Sequence, residues 1–174
     1  GYIMGANDAA DGSDMGRMIL AAPLYHIAGI TSMLNALYSG RVTIMMSQFE
    51  PDQWLDLVAS QGATHAFLVP TMLAKVLESP NVGSTDLSSL EALTYGAAPM
   101  PPAVIRRAIE MFPDTVGFSG AYGQTETTST VAVLGPDDHR LDSEVKLARL
   151  RSVGQVLDDV EVRIVDAEGN VLGP

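Results

Sequence analysis

The chain has 174 residues, no cysteine and a formal net charge of -11. That length supports one domain with a real core, burying roughly 70% of the surface its unfolded form exposes. The lack of cysteine removes disulfides and thiolate chemistry and fits a reducing, cytoplasmic location. Up to residue 135 the basic residues are Arg17, Arg41, Lys75, Arg106 and Arg107, too sparse for a nucleic-acid or anionic-membrane surface, and no apolar run approaches the ~20 residues of a membrane span.

Residues 1–17 read as a flexible or appended lead-in. Gly1 to Asp14 lacks the basic start and apolar stretch of a signal peptide, and Asp8 to Asp14 fails the ligand spacing of a calcium loop. Met18 to Ala21 reads as a buried strand, and His26 to Tyr38 as a helix ended by Ser39-Gly40. Val42 to Met46 is a second strand. Pro51 opens a helix carrying Trp54, Leu55, Val58 and Ala59, which Gln61-Gly62 closes. His65 to Val69 is a third strand; after Pro70, Leu73, Val76 and Leu77 fall on one helix face. Leu93 to Tyr95 is a fourth strand. Pro101-Pro102 starts a helix with Ile105, Ala108, Ile109 and Phe112 inward and Arg106, Arg107 and Glu110 outward; Val116 to Phe118 is the fifth strand. Trp54, Met45, Met46, Met72 and Met111 are read as core. Short apolar strands alternating with helices predict an α/β fold, a mostly parallel sheet flanked by helices over 18–135. The stretch 136–151 reads as a charged linker. From 152 to 174 a short antiparallel β segment follows, with Val160, Val162, Ile164 and Val171 around the turn Asp166 to Asn170.

Three loops carry residues suited to chemistry. Pro23 to Gly29 follows the first strand, Tyr95 to Pro99 the fourth, and Tyr122-Gly123-Gln124-Thr125-Glu126 the fifth, after a small-residue bend at Ser119-Gly120-Ala121. Strand ends in open α/β sheets converge on one crevice. There an aromatic ring can stack on a nucleobase, a glycine admits a phosphate close to the backbone, a threonine hydroxyl can donate to a phosphate oxygen, and a carboxylate can hold magnesium. His65 and His139 lack ligand-like spacing to each other or to His26, which argues against a transition-metal site.

The set resembles the AMP-forming adenylating enzymes: acyl- and aryl-CoA ligases, luciferases and peptide-synthetase adenylation domains. Pro23-Leu24-Tyr25-His26-Ile27-Ala28-Gly29 looks most like the fatty-acyl-CoA ligase branch, and Ser152-Val153-Gly154-Gln155 with Val160 to Asp166 also matches. The resemblance covers roughly residues 18 to 174. It implies an enzyme that activates a carboxylic acid, a fatty acid on this branch, with ATP as an acyl-adenylate and passes it to coenzyme A. It implies that Tyr122 stacks on adenine opposite Gly96, Ala97, Ala98 and Pro99, with Gly123 and Gln124 beside the nucleotide. Thr125 would bond the α-phosphate, and Glu126 would bind Mg²⁺. His26 would sit where acyl group, phosphate and thiol meet, with Ile27, Gly29, Ile30, Gly120 and Ala121 lining the acyl pocket. That mostly small or apolar set suggests an uncharged chain or ring.

The family's lysine-bearing phosphate loop, ribose-binding aspartate and catalytic lysine have no match here, and Gly5 to Asp14 holds no lysine. The chain is therefore expected to be an internal piece of the large N-terminal domain, inert alone, with uncovered edges that favour self-association. Two other readings stand beside this one. One is a nucleotide-binding, non-catalytic module. The other is a serine hydrolase using Ser119 with Asp137 or Asp138 and His139, although Ala121 stands where its turn wants glycine.

Overall fold

The computed structural model describes residues 15–173; the lead-in up to Asp14 lies outside them. Seven strands form one sheet in the order β2-β1-β3-β4-β5-β6-β7. Strands β1 (Arg17–Leu20), β2 (Val42–Met45), β3 (His65–Leu68), β4 (Ala92–Gly96) and β5 (Gly117–Gln124) run parallel. Strands β6 (Ser129–Leu134) and β7 (Gln155–Val156) return antiparallel. The chain first winds from β1 to β2 through α1 (Ile27–Tyr38), then reverses through α2 (Pro51–Gln61), α3 (Pro70–Glu78) and α4 (Pro102–Met111) to reach β3, β4 and β5. That reversal leaves a crevice at the carboxyl ends of β1 and β3, the usual place for a ligand in such sheets.

Local signals explain the helices. Proline occupies the first turn of α2, α3 and α4, where its missing N–H has no helical partner to lose. Gly62 ends α2 in the left-handed region, φ 59°. Trp54, Leu55 and Val58 are wholly buried, as are Leu73, Val76, Ile105 and Ala108. They form the main core with Ile19, Leu68 and Leu93 on one sheet face. Burying each such large side chain contributes about 1.5–3 kcal/mol. A smaller core of Met18, Ala22, Ala36 and Phe67 lies under α1 on the other face. Arg107, outward as its spacing predicts, donates to the Leu77 carbonyl at the end of α3 (2.9 Å).

The structure departs from the sequence reading in several places. Ser119-Gly120-Ala121 is not a bend: β5 runs straight through it to Gln124, because β4 and β6 hydrogen-bond its two sides. β6 and the short helix α5 (Glu144–Arg149) are absent from the sequence reading, although Val131, Val133 and Leu134 give β6 an apolar, β-branched run. α5 forms inside the stretch read as a linker, with the Ser143 hydroxyl accepting the Lys146 N–H (3.3 Å). The turn Asp166 to Asn170 forms, closed by the Val165–Val171 bridge and by Asp166 Oδ1, which accepts from the Asn170 N–H (2.7 Å). Val162 and Ile164 beside it are exposed rather than in strands. Met45 and Met111 are exposed, not core: Met45 lies on β2, the sheet edge, and Met111 is the last residue of α4. No described helix is long and apolar enough to cross a membrane.

Candidate functional site

Two cavities adjoin at the carboxyl edge of the sheet and share Gly96, Ala97, Ala121 and Gly123 as their common wall. Glycine is required in that wall. A Cβ on Gly96 would stand 2.5 Å from the Ala121 carbonyl oxygen, and one on Gly123 would stand 1.7 Å from that of Ser129. The β5–β6 register slips between Tyr122 and Gly123, and the resulting bulge lets β6 lean over Gly123. Ala97 follows with φ 67°, a left-handed backbone that is strained for a residue with a Cβ and typical of functional loops.

The first cavity, about 250 Å³, lies between the start of α1 and the β5–β6 turn; His26, Ile27, Thr125 and Glu126 line it. His26 caps α1, its Nδ1 accepting the Ala28 N–H (3.1 Å). That bond leaves Nε2 as the nitrogen free for other work. Thr125 and Glu126 sit in a one-turn 3₁₀ helix, both exposed. Thr127 pins that turn: its hydroxyl accepts the Gln124 N–H (3.1 Å). Glu126 is the lone acidic side chain lining this cavity, and no Lys or Arg accompanies it. Among the described residues no three His, Cys, Asp or Glu side chains cluster for a metal. One carboxylate suits magnesium, which commonly takes one or two carboxylates and completes its shell with substrate phosphates and water.

The second cavity, about 340 Å³, is a slot between Ala98, Pro99 and Met100 on one side and Tyr122 on the other. The Tyr122 ring is half exposed (53%), as a stacking platform needs. Arg151 is the single charged side chain lining it. Its back wall is Tyr95, whose hydroxyl lies 2.8 Å from His139 Nε2. His139 Nδ1 lies 2.7 Å from the Gly135 carbonyl. A carbonyl only accepts, so Nδ1 carries the proton and Nε2 accepts from Tyr95. Burial raises the Tyr95 phenol well above its ordinary pKa. Burial also lowers the His139 imidazole, opposed by the Gly135 hydrogen bond and the Asp138 charge.

With both ring nitrogens engaged, His139 has none to activate Ser119, and Ser119 lies within β5 rather than on a strand-to-helix turn. Asp138 meanwhile pairs with Arg149 (2.7 Å). The hydrolase arrangement is not assembled.

The structure thus brings His26, Ile27, Ala97, Ala121, Gly123, Gln124, Thr125 and Glu126 together on the first cavity and Ala98, Pro99, Gly120 and Tyr122 on the second. Gly29 and Ile30 line neither. A Cβ on Gly29 would stand 2.1 Å from the Pro23 carbonyl oxygen, so its bareness seats α1 against that loop. A Cβ added to Gly120 would stand 3.0 Å from the Tyr95 hydroxyl and 3.1 Å from its ring, on the side of the slot. Several lining residues are missing from the sequence reading: Thr31, Ser32, Asn35 and Phe67, and Ser129 and Thr130 on β6. The helical spacing of 31, 32 and 35 with Ala28 is the one signal that could have marked them.

A protein-family model described as AMP-binding enzyme matches residues 3–174. The medium/long-chain-fatty-acid–CoA ligase FadD8 of Mycobacterium tuberculosis is 32% identical over 153 residues, covering 88% of this chain and 25% of that protein. The amide bond synthetase McbA of Marinactinospora thermotolerans superposes with a TM-score of 0.79 at 32% identity, over 93% of this chain and 32% of that one. The o-succinylbenzoate coenzyme A synthetase MenE of Bacillus subtilis, solved with ATP and magnesium, gives 0.75 at 25% identity, over 95% of this chain and 32% of that one. The chain therefore spans about a quarter to a third of the length of these relatives.

Proposed function

The chain belongs to the AMP-binding enzyme family, and from that premise we propose that it forms the nucleotide- and acyl-binding part of an ATP-dependent, AMP-forming ligase. The reaction has two steps. A carboxylate oxygen attacks the α-phosphorus of ATP, giving an acyl-adenylate as pyrophosphate leaves. The thiol sulfur of coenzyme A then attacks the acyl carbon, and AMP leaves with the electron pair of the broken C–O bond. The observation that carries this reading is the pair of cavities meeting at one glycine-bounded wall: base on one side, acyl group on the other, reacting phosphate between.

Tyr122 and the Gly96, Ala97, Ala98 and Pro99 loop hold the adenine between ring and backbone. Gly123 and Gln124 follow the sugar-phosphate, with no side chain on Gly123 to obstruct it. Thr125 donates its hydroxyl to an α-phosphate oxygen, which matters most as charge builds there. Magnesium, held by Glu126 together with the phosphates, would supply charge neutralisation at the leaving pyrophosphate. His26, fixed through Nδ1, offers Nε2–H to the carboxylate at the junction. Ile27 and Ala121 contact the first atoms of the acyl group; Gly29 seats α1 against the Pro23 carbonyl, and Ile30 and Gly120 lie off this cavity. The acid carries no second carboxylate, because no Lys or Arg side chain lines the acyl cavity.

ATP–pyrophosphate exchange tests the proposal on an enzyme of the relatives' length that carries this chain, against fatty and aromatic acids. The expected result is acid-dependent exchange that falls by ~10²-fold or more in Glu126→Ala, and no exchange from the 174-residue chain alone. A folded, full-length enzyme that exchanges with no acid would sink the ligase reading and leave a nucleotide-binding module.

A further inference from the structure

Resting on the ligase reading, we propose that the acid carries an uncharged oxygen-bearing group (hydroxyl, ether or carbonyl) at the end remote from its carboxylate. We assign the reading of that group to Thr31, Ser32 and Asn35 of α1 with Ser129 and Thr130 of β6. All five line the first cavity beyond His26 and Ile27, with Phe67 completing the wall.

A helix that faces a core in this fold is apolar on that side. α2 presents Trp54, Leu55 and Val58, and all three are wholly buried. α1 presents the same i, i+1, i+4 set at 31, 32 and 35, and there it carries two hydroxyls and an amide. Ser32 is buried (4% exposed). Its side chain, like those of Thr31 and Asn35, makes no hydrogen bond to another described residue. Buried polar groups are ordinarily paired. These face an open cavity, so their partners come with whatever fills it. Across the cavity the Ser129 and Thr130 hydroxyls lie only 3.5 Å from each other, at the limit of a hydrogen bond and with capacity to spare.

An alkyl chain would strip water from this band and return nothing. An ionised far end would find no opposite charge there, since Glu126 at the nucleotide side is the cavity's one charge. A neutral oxygen both accepts from Asn35 and the hydroxyls and, as a hydroxyl, donates back. The helix sets the length: at ~1.5 Å per residue, Ser32 lies about 9 Å and Asn35 about 13 Å along the axis from His26. That matches a hydroxylated arylpropanoic acid or a medium chain ending in oxygen. Phe67 suits the ring.

Matched acid pairs test this on the full-length enzyme: phenylpropanoic acid against its para-hydroxy form, and nonanoic acid against its terminal hydroxy form. The readout is kcat/KM in pyrophosphate release. We expect the oxygenated partner to be favoured by ~10-fold or more in at least one pair. We expect that preference to shrink to within about twofold in Ser32→Ala and to invert in Asn35→Leu, which turns the far end apolar. Equal or better use of the plain partner in both pairs overturns the proposal. If no acid supports turnover, the ligase reading fails separately, and equilibrium dialysis of the same pairs decides the cavity. Tighter binding of the oxygenated acid to the wild type than to Asn35→Leu supports it; equal binding overturns it.

Discussion

Ala97 shows how a single residue records the demands of the site. Its φ of 67° costs roughly 1–2 kcal/mol for a residue with a Cβ. Glycine would remove that strain but would add ~0.5–1 kcal/mol of unfolded-chain entropy. Strain relief wins, so Ala97→Gly is expected to raise unfolding free energy by about 0.5–1 kcal/mol, seen as a higher urea midpoint; a lower midpoint refutes it. The neighbouring glycines cannot be exchanged in the other direction, because the Ala121 and Ser129 carbonyls occupy the space their side chains would need. Gly123 and Glu126 are legible in the chain as part of a compact motif. Ser32 is not, since a serine inside a helix says nothing about what it faces until the opposite wall is in place.

At the scale of elements, the bond between Tyr95 on β4 and His139 after β6 (2.8 Å) ties the back of the second cavity to the turn at Gly135. His139 is buried among Tyr95 and Phe118, with Asp138 the nearby charge. Burial lowers its folded pKa below the ordinary value, which is about 6.5. The unfolded chain therefore takes up that proton first as pH falls. The stability held by the neutral imidazole is full above about pH 6.5 and is lost progressively below it, down to the folded pKa. Urea midpoints of wild type and His139→Gln across pH 5 to 7.5 should show a steeper acid loss in the wild type. A wild type that gains stability on acidification relative to the variant refutes the assignment. Most of the elements could be read from periodicity, proline starts and the closing Gly62. The β-branched run Val131 to Leu134 makes β6 legible too, although the sequence reading omits it; α5 is not, because its charged run becomes a helix only with the Ser143 cap.

For the whole molecule, the informative surface is the outer face of α1. Ile30, Leu34 and Leu37 form an exposed apolar stripe at i, i+4 and i+7, continued by Tyr38 and by Val42 and Met45 on the edge strand β2. Contiguous apolar surface beside an open sheet edge favours association. Sedimentation velocity of the isolated chain is expected to show species larger than a monomer, reduced by Leu34→Glu with Leu37→Glu. A sharply monodisperse monomer would count against the expectation.

The sequence by itself determined the alternation of strands and helices, the parallel sheet, and the small-residue loops and Tyr122 to Glu126 string that mark the family. These are local patterns, set by side-chain period and turn chemistry within a few residues. Only the tertiary structure decided that β5 runs unbroken through its small residues, that His139 locks Tyr95 rather than serving Ser119, and that Thr31, Ser32 and Asn35 meet Ser129 and Thr130 across one cavity. Each of those depends on groups far apart in the chain, which burial and hydrogen bonding bring together only when the sheet closes over α1.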